Sequence, residues 1–157
     1  MSRVQLALNV SDVDEAVAFY SKLFKTEPAK RRPGYANFAV EEPPLKLVLI
    51  ENKDAPATLN HLGVEVFSTD EVIATQARLA AEGMATATED NVTCCYAVQD
   101  KVWVDDPDGA PWEIYTVLGD SESPNGDLAN VDLCGAGACV ATEQPADQEG
   151  ETVAGCC

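Results

Sequence analysis

Polar and apolar residues alternate with a period of two from Arg3 to Val10. Leu6, Leu8 and Val10 fall on one side, and Gln5, Ala7 and Asn9 on the other. That pattern predicts a half-buried β-strand. The period then lengthens. Val13, Ala16, Val17, Tyr20, Leu23 and Phe24 recur at helical spacing behind Asp12-x-x-Glu15, which has the form of a capping box. A helix is expected there, stopped by Pro28. Lys30-Arg31-Arg32-Pro33-Gly34 reads as a basic turn, and residues 35–40 and 45–50 as strands joined at Pro43-Pro44.

At Thr58 the pattern begins again. Leu62, Val64 and Val66 alternate with His61, Gly63 and Glu65. Ser68-x-x-Glu71 heads a second helix with Val72, Ile73, Gln76, Leu79 and Ala80 on one face, closed by Gly83. Strand-like pieces follow near residues 85–88, 95–98, 102–104 and 112–117. A slide of about 56 positions places Leu6 on Leu62, Leu8 on Val64, Val10 on Val66, Asp14 on Asp70, Glu15 on Glu71 and Leu23 on Leu79. A repeat of this length is a supersecondary unit, not a solenoid period. The expected fold is α+β. Two tandem βαβββ modules (about 3–52 and 58–118) pair edge to edge into a cup-shaped mixed β-sheet with the helices outside. Residues 1–119 then form the domain. Residues 120–157 are rich in Gly, Ala and acid, interrupted by Pro124 and Pro145, and lack periodicity; a flexible, disordered, Cys-bearing tail is expected.

Composition narrows the function classes. A formal charge of −17 argues against a nucleic-acid or anionic-membrane surface. No apolar run approaches the ~20 residues of a membrane span, and Met1-Ser2-Arg3 leads straight into the first strand rather than into a signal sequence. A cytoplasmic protein is expected. In that compartment the six cysteines point to thiol or metal chemistry before a disulfide framework.

Three residues are candidates for a metal site. The 56-residue slide places Gln5 on His61, so both head the inner face of the first strand of a module. Glu113 follows the turn Asp105-Asp106-Pro107-Asp108-Gly109 and alternates with Trp112 and Ile114, so it faces the cup if those two pack on a helix. An amide, an imidazole and a carboxylate would leave about three positions of an octahedral ion open. The first-module equivalent of Trp112-Glu113-Ile114 is Leu47-Val48-Leu49, which supplies no fourth ligand. Four ligands suit a Lewis-acid isomerase, whereas three suit oxygen activation by Fe(II). A lone His beside an apolar strand is more often a satisfied polar residue than a ligand; the repeat links Gln5 to His61, and Glu113 after the Asp-Pro-Asp-Gly turn strengthens the case.

Cys94-Cys95 is the second candidate feature. Adjacent side chains of a regular strand diverge, so two neighbouring thiols converge only in a turn or bulge, and Asn91-Val92-Thr93 predicts a loop there. Paired thiols suit trivalent arsenic, Cd(II) or Hg(II). The competing reading is two small core residues.

The duplicated unit together with Asp106-Pro107-Asp108-Gly109-Ala110-Pro111-Trp112-Glu113-Ile114-Tyr115 resembles the vicinal oxygen chelate superfamily over roughly residues 3–118. That superfamily includes glyoxalases, extradiol dioxygenases and antibiotic-resistance proteins. With Cys94-Cys95 and the opening Arg3-Val4-Gln5-Leu6-Ala7-Leu8-Asn9-Val10 included, the chain is similar to the carbon–arsenic lyase and cadmium-induced protein branch. The resemblance implies an Fe(II)-dependent dioxygenase acting on trivalent organoarsenicals with molecular oxygen and releasing arsenite. It implies Gln5, His61 and Glu113 as catalytic iron ligands, and Cys94 and Cys95 as the arsenic-binding pair. Two alternatives stand beside it: a non-catalytic cadmium- or arsenite-binding resistance protein, and a glyoxalase-like isomerase or thiol transferase. Cys134, Cys139, Cys156 and Cys157 in the tail are either a metalloid-delivery device or inert.

Overall fold

A computed structural model describes residues 2–124. The first module comprises β1 (Arg3–Val10), α1 (Val13–Phe24), β2 (Lys30–Arg32), β3 (Tyr35–Val40) and β4 (Leu45–Glu51). The second comprises β5 (Leu59–Glu65), α2 (Thr69–Ala81), β6 (Ala87–Cys94), β7 (Ala97–Asp105) and β8 (Pro111–Asp120). All eight strands form one mixed sheet in the order β2-β3-β4-β1-β5-β8-β7-β6. β1 runs parallel to β4 and β5 parallel to β8, and the modules join where β1 and β5 run antiparallel. The sheet curls into a half-barrel, the α+β cup expected from the repeat.

The alternation in β1 separates two environments. Leu6, Leu8 and Val10 pack beneath α1 with Val13, Val17, Phe38, Leu47 and Leu49. Gln5 and Ala7 are buried on the concave side. The Asp12 carboxylate caps α1 by accepting from the N–H groups of Asp14 and Glu15, each at 2.9 Å. At α2 the Ser68 hydroxyl accepts from Glu71 N–H at 3.2 Å, and the Glu71 carboxylate accepts from Phe67 N–H at 2.8 Å. Gly83, at φ +78°, ends α2 with Gly83 N–H donating to Ala80 O and Met84 N–H to Leu79 O, a Schellman pattern.

The structure departs from the periodicity in several places. α1 stops at left-handed Lys25 (φ 52°), whose N–H bonds Ser21 O, before Pro28 is reached. Lys30–Arg32 is a short edge strand, and only Pro33-Gly34 is left for the turn. On α2 Val72 and Leu79 are buried, but Ile73 is 55% exposed. The pieces expected at 95–98 and 102–104 are one strand, β7, paired on both sides. Asn91-Val92-Thr93 belongs to β6, which bulges between Glu89 and Val92, and the turn lies further on at Cys95-Tyr96. β8 runs through Asp120, and Ser121 N–H donates to Tyr96 O, so defined contacts continue past residue 119. Cys134, Cys139, Cys156 and Cys157 lie outside the described residues. Among the described residues no helix is long and apolar enough to cross a membrane.

Candidate metal centre and thiol hairpin

Gln5, His61 and Glu113 come from β1, β5 and β8, which are three adjacent strands. Gly63 is the residue opposite both Gln5 and Glu113 in the sheet register. A Cβ there would sit 2.9 Å from Glu113 Cγ and 3.4 Å from Gln5 Cβ. Glycine at this position therefore permits the close approach of the two side chains. His61 Nε2 lies 3.0 Å from Gln5 Nε2 and 3.1 Å from Glu113 Oε1, and the Gln5 amide also donates to Glu113 Oε1. All three residues are buried.

Each member of the cluster has a partner that orients it. The Asn60 carbonyl oxygen sits 2.6 Å from His61 Nδ1, and the Asn60 amide donates to Asn9 Oδ1 at 2.8 Å. Asn60 thereby favours a proton on Nδ1 and an open lone pair on Nε2. Lys101 is 1% exposed and places Nζ 3.1 Å from Glu113 Oε2, so one carboxylate oxygen is held and the other faces His61. The Tyr115 hydroxyl donates to Gln5 Oε1. Burial would raise the Glu113 carboxyl, but the Lys101 ammonium and the His61 ring outweigh it and bring it down to about 2. Burial would lower Lys101; Glu113, Cys94 and Cys95 reverse that and push it above the usual lysine range. Tyr115 is pushed up by burial first and by the Glu113 charge second, which keeps its hydroxyl a neutral donor.

The donor set fits a divalent ion of intermediate hardness once one assignment is turned. The Gln5 amide nitrogen faces His61 and Glu113, while its oxygen faces Tyr115. Amide oxygen and nitrogen interchange by a half-turn. Turning the group would bring Oε1 beside His61 Nε2 and Glu113 Oε1, and the amide N–H would then donate to the Tyr115 hydroxyl. One nitrogen and two oxygens suit Fe(II) or Mn(II) better than a thiophilic ion. Because one donor is an amide, no group of three His, Cys, Asp or Glu occurs among the described residues. Ala7 pairs with Val48 as Gly63 pairs with Glu113, so Val48 holds in the first module the position that Glu113 holds in the second. It belongs to an apolar concave wall of Ala7, Tyr35, Val48, Ile50 and Tyr96.

The two thiols come together at the β6–β7 hairpin. Cys94 pairs with Ala97, and the intervening Cys95 and Tyr96 adopt φ 54° and 62°, the pattern of a type I′ turn. Their sulfurs are 3.2 Å apart. Cys94 is buried, and Cys95 is half-buried against the apolar wall. Gln99, also buried, donates to Cys94 O at 3.4 Å, while its Oε1 is buried without a hydrogen-bond partner. Sequence reasoning missed Lys101, Asn60 and Gly63. The signal for Lys101 was present: Gln99, Lys101 and Trp103 alternate with Val98, Val102 and Val104.

The duplicated cup with a cluster of donors on its inner face defines a class. Residues 3–114 match the Glyoxalase/Bleomycin resistance protein/Dioxygenase superfamily, and the chain belongs to it. The cadmium-induced protein CadI of Mycobacterium tuberculosis is 63% identical over 123 residues, covering 78% of this chain and 81% of that protein. A trivalent organoarsenical cleaving enzyme of Thermomonospora curvata is 60% identical over 124 residues, covering 78% and 82%. Among solved structures, the Mn(II)-bound glyoxalase of Novosphingobium aromaticivorans superposes with a TM-score of 0.56 at 23% identity, over 82% of this chain and 44% of that one. That last likeness concerns the fold alone.

Proposed function

We propose that this protein is an Fe(II)-dependent, dioxygenase-type carbon–arsenic lyase acting on trivalent organoarsenicals. The observation that carries the reading is the 3.2 Å convergence of the Cys94 and Cys95 sulfurs in the same sheet that brings Gln5, His61 and Glu113 together. A 60% identical relative described as a trivalent organoarsenical cleaving enzyme supports it.

In this reading Gln5, His61 and Glu113 hold the iron. When bound, the ion supplies open coordination positions and the electrons for oxygen activation. Lys101 fixes the free rotation of the Glu113 carboxylate, and Asn60 keeps the His61 Nε2 lone pair directed inward. The Cys94 and Cys95 thiols condense with the two hydroxyls of a trivalent arsenical, forming two S–As bonds and releasing two waters. The organic substituent then lies toward Tyr35, Val48 and Ile50, a wall that excludes water. Positioning is the main contribution of the protein. For a methyl substrate, methylarsenous acid and dioxygen balance as arsenous acid and formaldehyde. Two waters return the protons to the sulfurs as arsenite leaves. The reading places the enzyme in the cytoplasm, with no nucleic-acid or membrane partner.

A second reading is a stoichiometric binder of Cd(II) or arsenite, favoured by the thiol geometry and by the 63% identical cadmium-induced relative. One experiment separates the two. The protein is reconstituted anaerobically with Fe(II), supplied with methylarsenite, and then given oxygen. The lyase consumes oxygen and releases arsenite and formaldehyde in equal amounts over many turnovers. Uptake of arsenical without oxygen consumption establishes the binder instead.

A further inference from the structure

We propose that Lys30, a residue of the first module, is a positioning residue for the thiol pair of the second, and that chelation of trivalent arsenic depends on it. The inference rests on the reading of Cys94 and Cys95 as arsenic ligands and adds what holds them in place. β2 and β6 are the two ends of the eight-stranded sheet, with six strands between them. Even so, the β6–β7 turn is tied to β2. Lys30 Nζ donates to Tyr96 O at 2.9 Å, and the same oxygen accepts from Ser121 N–H at 2.9 Å. Lys30 also pairs with Asp120 at the end of β8. The Tyr96 ring packs on Tyr35 with centroids 5.3 Å apart, lies 5.9 Å from the Arg32 guanidinium, and directs its hydroxyl to Pro33 O at 3.5 Å. The hairpin thus clasps the open side of the half-barrel.

The clasp matters because of the turn it holds. Cys95 and Tyr96 are both left-handed, and neither is the glycine or asparagine that such a turn favours. Non-glycine residues stay in that region where the surroundings over-determine them. Two donors on Tyr96 O fix the orientation of the peptide that closes the turn, and the Cys94–Ala97 pair fixes its entry. Relaxing Tyr96 would swing Cys95 toward an extended conformation, in which adjacent side chains diverge. The Lys30 side chain is 18% exposed, so it is largely withdrawn from water for this contact.

The test uses the full-length chain with Cys134, Cys139, Cys156 and Cys157 replaced by Ser, so that Cys94 and Cys95 are its two remaining thiols, without added metal and with phenylarsine oxide as the probe. Its hydrated diol loses two hydroxyls as water to the two thiol protons, forming two S–As bonds with arsenic still trivalent. Affinity is measured in competition with a small dithiol for the parent, Lys30→Met, Lys30→Arg and Ser121→Pro, and Fe(II) affinity and melting temperature are measured alongside. Removing one charged hydrogen bond should weaken the arsenic chelate about tenfold in Lys30→Met. Lys30→Arg should restore most of the affinity, and Fe(II) affinity should not change. Ser121→Pro, which removes the second donor to Tyr96 O and also restricts the backbone at Asp120, should weaken the chelate as well. It decides the matter if Lys30→Met fails to fold, since parental affinity in Ser121→Pro would then overturn the clasp. A parent that chelates the probe alongside a folded Lys30→Met that chelates it equally well overturns this inference alone. A parent that forms no one-to-one chelate removes the arsenic reading of the thiols and this inference with it.

Discussion

The two modules share a backbone plan and divide the chemistry unequally. On the concave face of the first, β1 and β4 present Ala7, Val48 and Ile50, with Gln5 as the polar member of the cluster. At the matching places β5 and β8 present Gly63, Glu113 and Tyr115, joined by His61 and by Lys101 from β7. Strand pairing is the same in both halves: the first and last strands of each module run parallel, the remaining neighbours within a module run antiparallel, and the seam between β1 and β5 is antiparallel. A duplicated scaffold therefore supplies matched positions, and single side-chain exchanges decide what each position does. Val48 at the position matching Glu113 leaves that wall apolar, and in the proposed site it would leave the ion with three protein donors. That asymmetry suits a site in which an ion keeps open positions beside a greasy substituent.

The largest expected effect comes from removing the second module's contribution. Glu113→Ala and His61→Ala should each lower Fe(II) affinity and turnover by more than about a hundredfold, beyond the usual cost of losing an outer-shell partner. Both proteins should remain folded by circular dichroism, because the residues replaced are polar groups of the site and not part of the apolar core beneath α1. Gly63→Ala comes next. Its new methyl meets Glu113 Cγ, and an overpacking cost of about 1–3 kcal/mol in melting stability should accompany a misplaced carboxylate and weakened metal binding.

Lys101→Met probes the electrostatics. With Lys101 present, the Glu113 carboxyl at about 2 is ionised throughout the neutral range, so its readiness to bind a cation is insensitive to pH there. Removing the ammonium lets burial raise that carboxyl. Fe(II) affinity of the variant should therefore fall more steeply than that of the parent as pH is lowered from 7 to about 5. The parent's own linkage has a definite sign. A carboxyl depressed in the folded state stabilises the fold fully above the unfolded value near 4.5 and loses that contribution as pH falls toward about 2. Acid melting curves of parent and variant should differ in that window. The smallest effect is expected for Asn60→Ala, about tenfold in metal affinity, since it removes only the group that orients His61 Nδ1.

The same contrast explains what could be read from the chain beforehand. β1, β5 and both helices carry clean periods of two or 3.6, and from them the repeat and the Gln5–His61 match follow; Glu113 joins them through the alternation after Asp106-Pro107-Asp108-Gly109. Periodicity divides β7 into two pieces because Gln99-Asp100-Lys101 interrupts its apolar run. All three residues are nonetheless buried, Lys101 by pairing with Glu113 and Asp100 by bonding Thr69 and Asn91 N–H. The thiol turn was misplaced because neither Cys95 nor Tyr96 signals a left-handed backbone. What holds it comes from Lys30, 66 residues away, and no local pattern contains that contact. Helix α1 ends before Pro28 at a left-handed Lys25, whose N–H bonds Ser21 O. Local periodicity announces elements, whereas caps and long-range contacts decide their ends.

The central claim is that metal binding and arsenic binding are carried by separate parts of one cup. It is tested most directly by replacing Cys94 and Cys95 singly with Ser and following arsenite release from methylarsenite in the Fe(II)-loaded protein. A hydroxyl is a harder and weaker donor to trivalent arsenic, so each substitution should break the chelate. Either variant should lose arsenite release while keeping parental Fe(II) affinity and a melting temperature within a few degrees of the parent. Turnover close to the parent in both variants would contradict it, and would leave the two sulfurs as packing in the β6–β7 hairpin.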